Sequence, residues 1–233
     1  MEEIISKRYF TTIFLLTLAL FSSSSVASHK TKHMYTYLAL GDSYTIGEQV
    51  PMHENFPYQT VELLRKQHFD VADPVIIAKT GWTTDELAAS IREHNIQDKF
   101  SFVSLLIGVN NQYRGRDVEN YKEEFTQLLT QAIAYANDQP QKVFVVSIPD
   151  WGVTPFADGK DRGKIAGEIN AYNAACKEIA EAHKCHYIEI TESTRKNGQD
   201  KEYVAGDGLH PSAKEYKVWA ERLADVVGKT LKQ

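Results

Sequence analysis

Five short apolar runs in this chain each lead into residues that can do chemistry. Residues 35–40 lead into Gly41-Asp42-Ser43, and residues 75–78 into Lys79-Thr80-Gly81-Trp82. Residues 102–107 lead into Gly108-Val109-Asn110-Asn111, and residues 143–148 into Pro149-Asp150-Trp151-Gly152. After residues 187–190 a loop reaches Asp207-Gly208-Leu209-His210. Singly, each of these is an ordinary turn or cap. Together they hold the parts of an acyl-transfer site. Serine is a weak nucleophile until a base takes its proton. His210 is the candidate base for Ser43, and Asp207, three residues earlier, can turn back and fix the imidazole tautomer. A tetrahedral intermediate carries an oxyanion. The Ser43 N–H, the Gly81 N–H, unobstructed by a side chain, and the Asn110 amide can donate to it. Loss of one such donor typically costs about 3–4 kcal/mol of transition-state stabilisation.

The elements that must position these residues are legible as alternating patterns. The five runs are nearly continuous apolar stretches, as strands buried on both faces require. Between them lie helical patterns. Asn55 caps a segment to about residue 67 with an early proline, Pro57. Thr83 and Glu86 form a capping box for a helix to about residue 92. Val118, Tyr121, Phe125, Leu128 and Leu129 repeat at helical spacing. A long helix is expected over about residues 164–182. Ser212 and Glu215 form a second capping box before the last helix, striped by Tyr216, Trp219, Leu223 and Val226. Strands and helices in this alternation predict an α/β fold: a three-layer α/β/α sandwich on a five-stranded parallel sheet. In such a sheet, ligands bind beyond the carboxyl ends of the strands, where all five groups fall.

From Tyr35 to Val227 the chain resembles the SGNH/GDSL hydrolases, a superfamily of serine esterases and lipases with a flavodoxin-like fold. Gly41-Asp42-Ser43 matches the nucleophile block, Gly81 the glycine of the second block, Asn110 the asparagine of the third, and Asp207 and His210 the Asp-x-x-His pair. The resemblance implies Ser43, Asp207 and His210 as the catalytic residues. It implies Ser43, Gly81 and Asn110 as oxyanion donors, with no cofactor and no metal. One departure is visible: Asn111 stands where the third block often has Asp. The Gly-x-Ser-x-Gly elbow of α/β-hydrolases is absent around Ser43.

Composition narrows the alternatives. The chain has 233 residues, 42% hydrophobic and 24% charged, with net charge −5. That size suits one domain, and without a basic stripe nucleic acid is excluded as a partner. No Cys or His spacing suggests a metal site. Cys176 and Cys185 are expected as unpaired thiols, separated by mostly helical rise. At the N-terminus, Lys7 and Arg8 precede a short apolar stretch, then Ser22 to Ser25 and Val26-Ala27-Ser28. That pattern predicts a signal peptide over residues 1–28, an exported mature chain over 29–233, and no membrane span in the mature part.

The substrate is less legible. Short-acyl esters, acetylated carbohydrates and lysophospholipids all belong to the class the resemblance implies. No long apolar lid segment is present, which favours a small acyl group or an acetylated sugar. Tyr44, Trp82, Tyr113 and Trp151 flank the expected site. Rings there can stack on a sugar, line an acyl pocket, or simply pack. Arg114 and Arg116 are candidate partners for an anionic head group, or solvated loop arginines. Specificity is expected in the loops at 44–54, 111–117 and 149–163. Two other function classes remain beside the enzyme. An inactive carbohydrate- or lipid-binding module on this scaffold is disfavoured by the intact set of site residues. A flavin binder is disfavoured because Asp42 would repel phosphate.

Overall fold

A computed structural model describes residues 34–232. The segment read as a signal peptide lies outside the described residues. Five parallel strands form one sheet in the order β2-β1-β3-β4-β5: β1 Tyr37–Asp42, β2 Val75–Lys79, β3 Phe102–Leu106, β4 Val143–Val146 and β5 His186–Ile188. The α/β sandwich read from the sequence is the fold observed. β1, β3 and β4 are buried along their whole length, which is why their runs carry no polar alternation. Tyr37 stacks on Phe102 at 4.3 Å between ring centroids.

The connections follow from right-handed crossover geometry. From β1 the chain moves to the β2 edge through α1 (Ser43–Ile46) and α2 (Phe56–Lys66). It then returns across the sheet through α3 (Thr84–His94), α4 (Val109–Tyr113), α5 (Val118–Tyr135) and α6 (Arg162–Ala182). The last helices are α7 (Thr191–Asn197) and α8 (Ala213–Leu231), and α8 packs on α2. The strand order therefore reverses direction between β1 and β3, and their carboxyl ends open a crevice.

Several local readings hold, and some are corrected. Asn55 caps α2 by accepting the Tyr58 N–H at 2.9 Å. Glu86 accepts the Thr83 N–H at 2.9 Å, completing the box at α3. The box expected at Ser212 does not form. Ser212 accepts the Lys214 N–H, while the Glu215 carboxylate turns inward to Ser193 Oγ, Asn197 Nδ2 and Trp219 Nε1. Those buried donors need an acceptor, and that need outweighs capping. β5 begins at His186 and ends at Ile188, ahead of the expected Ile190. The Ile190 N–H instead bonds Ser147 Oγ at 2.8 Å as α7 begins. Cys176 and Cys185 are both free and buried, and burial pushes each thiol up to about 12.

The turn from β1 into α1 is tightly packed. A Cβ on Gly41 would lie 2.1 Å from Thr45 Oγ1 and 2.5 Å from the Leu106 carbonyl oxygen. The second is backbone of the neighbouring strand and cannot move without disturbing β1–β3 pairing. Gly41→Ala is therefore expected to destabilise the fold by at least the ~1–3 kcal/mol typical of core overpacking. Denaturant unfolding would read this as a lower midpoint. An unchanged midpoint would mean that the turn has slack.

Candidate active site

Asp42 ends β1 and caps α1, accepting the Tyr44 N–H at 3.0 Å. That turn lifts Ser43 onto the first residue of α1, at the rim of the sheet. Its Oγ lies 3.0 Å from His210 Nε2, and His210 Nδ1 lies 2.6 Å from Asp207 Oδ2. The other Asp207 oxygen accepts the N–H groups of Leu209 and His210 at 2.9 and 3.0 Å. Burial works to raise the Asp207 pKa. Hydrogen bonds from the imidazole and these two amides outweigh it and hold the carboxyl below its usual range. Asp207 is thus an anchored anion beside the imidazole, which keeps the Nδ1 proton in place and leaves Nε2 to accept from Ser43.

The loop that carries the pair is itself clamped. Ala205 N–H bonds the His210 carbonyl at 2.8 Å, and Val204 bridges Pro211. Gly208 takes φ +70°, a conformation open to glycine, and its carbonyl accepts the Phe156 N–H at 2.9 Å. Tyr44 is expected above as a substrate contact. Its ring is 3% exposed and sits 5.1 Å from the His210 ring, with Trp219 6.1 Å away. It backs the imidazole and also lines the cleft that holds Ser43.

The proposed oxyanion donors meet across the crevice. Gly81 adopts φ +83°, and Arg114 Nη2 donates to its carbonyl at 2.6 Å. Asn110, at the start of α4, donates one Nδ2 proton to the Trp82 carbonyl at 3.0 Å, which fixes the amide and leaves its second N–H. Asn111 is fully buried. It accepts the Thr84 N–H at 3.1 Å and donates to Thr84 Oγ1 at 2.6 Å. The Thr84 hydroxyl passes its own proton to Glu124. A carboxylate at 111 could accept but not donate, so the departure from the usual Asp is matched to this chain of donors.

Ser43, Gly81, Asn110 and His210 line one cleft, with Thr80 beside them. Its opposite wall is apolar: Val109, Tyr113, Trp151, Phe156 and Leu209. With its open mouth the cleft holds ≈ 530 Å³. Trp82 is not on this wall. It is partly buried against the core and contributes its carbonyl to Asn110. Phe156 escaped sequence reading because it belongs to no motif, and Leu209 because it fills a variable position of the Asp-x-x-His pair. Only the position of Phe156 within the 149–163 loop pointed to it. A second, much smaller cavity, of ≈ 20 Å³, lies behind His210 and Trp151 and is not lined by Ser43. Arg114 and Arg116 are paired, with Glu86 at 3.1 Å and Asp85 at 2.5 Å. Among the described residues no group of three or more His, Cys, Asp and Glu side chains is placed to hold a metal ion.

Asp42 has a further property. It is fully buried, and its Oδ2 has no hydrogen-bond partner among the described residues. Burial, partly offset by the Tyr44 N–H, pushes the carboxyl up to about 7. The folded state thus holds this proton to higher pH than the unfolded chain, whose carboxyl titrates near about 4. Ionising Asp42 therefore costs folded stability as pH climbs from about 4 through 7. Asp42→Asn keeps an acceptor for Tyr44 and cannot ionise. The variant is expected to gain on the wild type between about pH 5 and about pH 8, measured by denaturant midpoints at both. An equal difference at both would show that Asp42 does not titrate in this window.

The family described as GDSL-like Lipase/Acylhydrolase matches residues 39–218. The spore germination lipase LipC of Bacillus licheniformis is 24% identical over 208 residues, covering 80% of this chain and 93% of that protein. The crystal structure of TesA superposes with TM-score 0.67 at 16% identity, covering 84% of this chain and 99% of that one. Axe2, an acetylxylan esterase from Geobacillus stearothermophilus, superposes with TM-score 0.66 at 18% identity, covering 83% and 94%. These structural likenesses concern the fold. The sequence match spans most of the described chain and includes the strand ends on which the cleft is built. The chain belongs to the GDSL-like lipase/acylhydrolase family and is a carboxylic ester hydrolase.

Proposed function

We propose that the protein hydrolyses esters through an acyl-enzyme on Ser43, with His210 as base and Asp207 as its orienter. The observation that carries this is the unbroken relay Ser43 Oγ–His210 Nε2–Nδ1–Asp207 Oδ2, at 3.0 and 2.6 Å, on the floor of a cleft. Ser43 Oγ attacks the acyl carbonyl while His210 Nε2 takes its proton. The carbonyl oxygen becomes an oxyanion facing the Ser43 and Gly81 N–H groups and the free Asn110 N–H. Collapse breaks the ester C–O bond, and His210 returns the proton to the departing alkoxide. A water molecule, deprotonated by the same imidazole, then attacks the acyl-enzyme; the acyl C–Ser43 Oγ bond breaks, His210 returns the proton to Ser43 Oγ, and the acid is released. The anchored Asp207 anion favours the imidazolium that forms in both steps.

The substrate within this proposal is a neutral carboxylic ester. Arg114 and Arg116 are already paired with carboxylates, and among the described residues the cleft lining holds no lysine or arginine to meet an anionic head group such as that of a lysophospholipid. Export of residues 29–233 belongs to the same proposal and rests on the pattern of residues 1–28.

Ser43→Ala is expected to abolish hydrolysis of activated acetyl esters, a loss of roughly 10⁶ in kcat, with circular dichroism unchanged. A fluorophosphonate probe should label the wild type at Ser43 and not label this variant. Asp207→Asn is expected to cost less than His210→Ala, because an imidazole without its orienter keeps some basicity. Full activity in Ser43→Ala, or a reversed order of the other two, would overturn these roles.

A further inference from the structure

The apolar wall of the cleft has a shape and chemistry that discriminate among esters. Tyr113 comes from the end of α4, Trp151 from the turn Trp151–Val153 and Phe156 from the turn Pro155–Ala157. The three rings touch: Tyr113 and Trp151 centroids are 5.3 Å apart at 71°, Trp151 and Phe156 6.0 Å at 67°, and Tyr113 and Phe156 6.3 Å at 44°. No two are parallel, so together they present a corrugated apolar surface and not a flat one. The Trp151 indole, the broadest of the three, is 6% exposed. It is held from behind, its Nε1–H donating to Gln112 Oε1 at 2.7 Å, while Gln112 Nε2 bonds Glu168 at 2.7 Å.

Tyr113 and Phe156 differ from Trp151 in being 53% and 42% exposed. They are large apolar side chains kept in water side by side, at the lip of a cleft whose floor holds the nucleophile. A sugar would need an open ring face to stack on and side chains to meet its hydroxyls. Among the described residues the lining holds no carboxylate, no lysine and no arginine, and the amide of Asn110 is already committed on one side. An aliphatic chain needs neither. It needs only apolar surface leading away from the reacting carbonyl.

We propose that Tyr113, Trp151 and Phe156 form an acyl-chain subsite, which makes this hydrolase select neutral aliphatic esters with several methylenes over acetyl esters and acetylated sugars. The proposal rests on the acyl-enzyme reading above. It reverses the preference for small acyl groups drawn from the missing lid segment, because the end of α4 and two short turns supply the apolar cover that a lid would. Each methylene laid on the wall leaves water, and full burial of one is worth about fourfold in kcat/KM.

The test is kcat/KM of the full chain for monomeric p-nitrophenyl acetate, butyrate, hexanoate and octanoate, with acetylated xylo-oligosaccharide as the competing class. The wild type is expected to gain up to about fourfold per methylene and to turn over the sugar ester poorly. Phe156→Ala with Tyr113→Ala should flatten that rise, and Phe156→Leu, which restores apolar area, should recover most of it. A wild-type profile flat or falling with chain length would overturn the proposal. So would a preference for the sugar ester, or a double variant that keeps the wild-type rise. Fluorophosphonate labelling run alongside separates the two claims. A labelled Ser43 with a flat profile removes the subsite alone, whereas an unlabelled Ser43 with no ester turned over removes the subsite and the acyl-enzyme reading together.

Discussion

The structure depends on a close approach that only an absent side chain permits. At Gly41 the end of β1, the hydroxyl of Thr45 and the backbone of β3 come within distances at which a methyl group would collide. Because they do, the chain can leave the sheet and turn at once into α1, with Asp42 closing the turn from inside. Ser43 is then presented at the crevice between β1 and β3. Every other part of the site is placed relative to that turn. The cost is carried by Asp42 and Thr45, each with a buried oxygen that lacks a partner among the described residues. Unpartnered buried oxygens cost stability, and the sheet buried on both faces supplies the packing that outweighs them here.

The second layer of positioning is polar, and it joins two loops. Asn110 holds the Trp82 carbonyl, Asn111 holds both the N–H and the hydroxyl of Thr84, and Arg114 holds the Gly81 carbonyl. Asn110, Asn111 and Arg114 come from α4 or its C-terminal edge, and their partners from the turn after β2 and the first residue of α3; Asn111 both accepts from the Thr84 N–H and donates to its hydroxyl. The two loops are therefore cross-linked at several points. Donors aimed at a developing charge are useful in proportion to how little they must reorganise, and this cross-linking ties together the Gly81 and Asn110 groups that the proposed mechanism uses. The fourth loop is clamped to its neighbour by the Phe156–Gly208 backbone bond, so the aromatic wall and the Asp207–His210 pair are likewise tied together.

Much of this was legible in the sequence where the physics is local or periodic. Central strands such as residues 102–106 are apolar throughout because both faces are covered, and that pattern survives without knowledge of the neighbours. The caps at Asn55 and Thr83 are decided within four residues. The Asp207–His210 pair is three residues apart and was recognisable for that reason. What escaped was set by contacts distant in sequence. Glu215 has the right residue type and spacing for a capping box, yet Ser193, Asn197 and Trp219 claim its carboxylate. Trp82 lies beside Gly81 in sequence, but its side chain packs inward. Phe156 and Leu209 are placed on the cleft wall by tertiary folding alone, and no fixed motif position marks them. α4 and α7, of five and seven residues, are too short to show a hydrophobic period.

The site is assembled from the two ends of the described chain. Ser43 and His210 are 167 positions apart, yet 3.0 Å apart in space. His210 is delivered by the loop that runs directly into α8, and α8 must dock on α2 to hold it there. A ribosome emitting this chain releases the nucleophile first and the base almost last. Until the final helix closes, the polypeptide carries a serine with nothing to deprotonate it. On the proposed acyl-enzyme reading, hydrolysis begins only once the most non-local contact in the site has formed, so the onset of turnover would be a clock for the completion of folding.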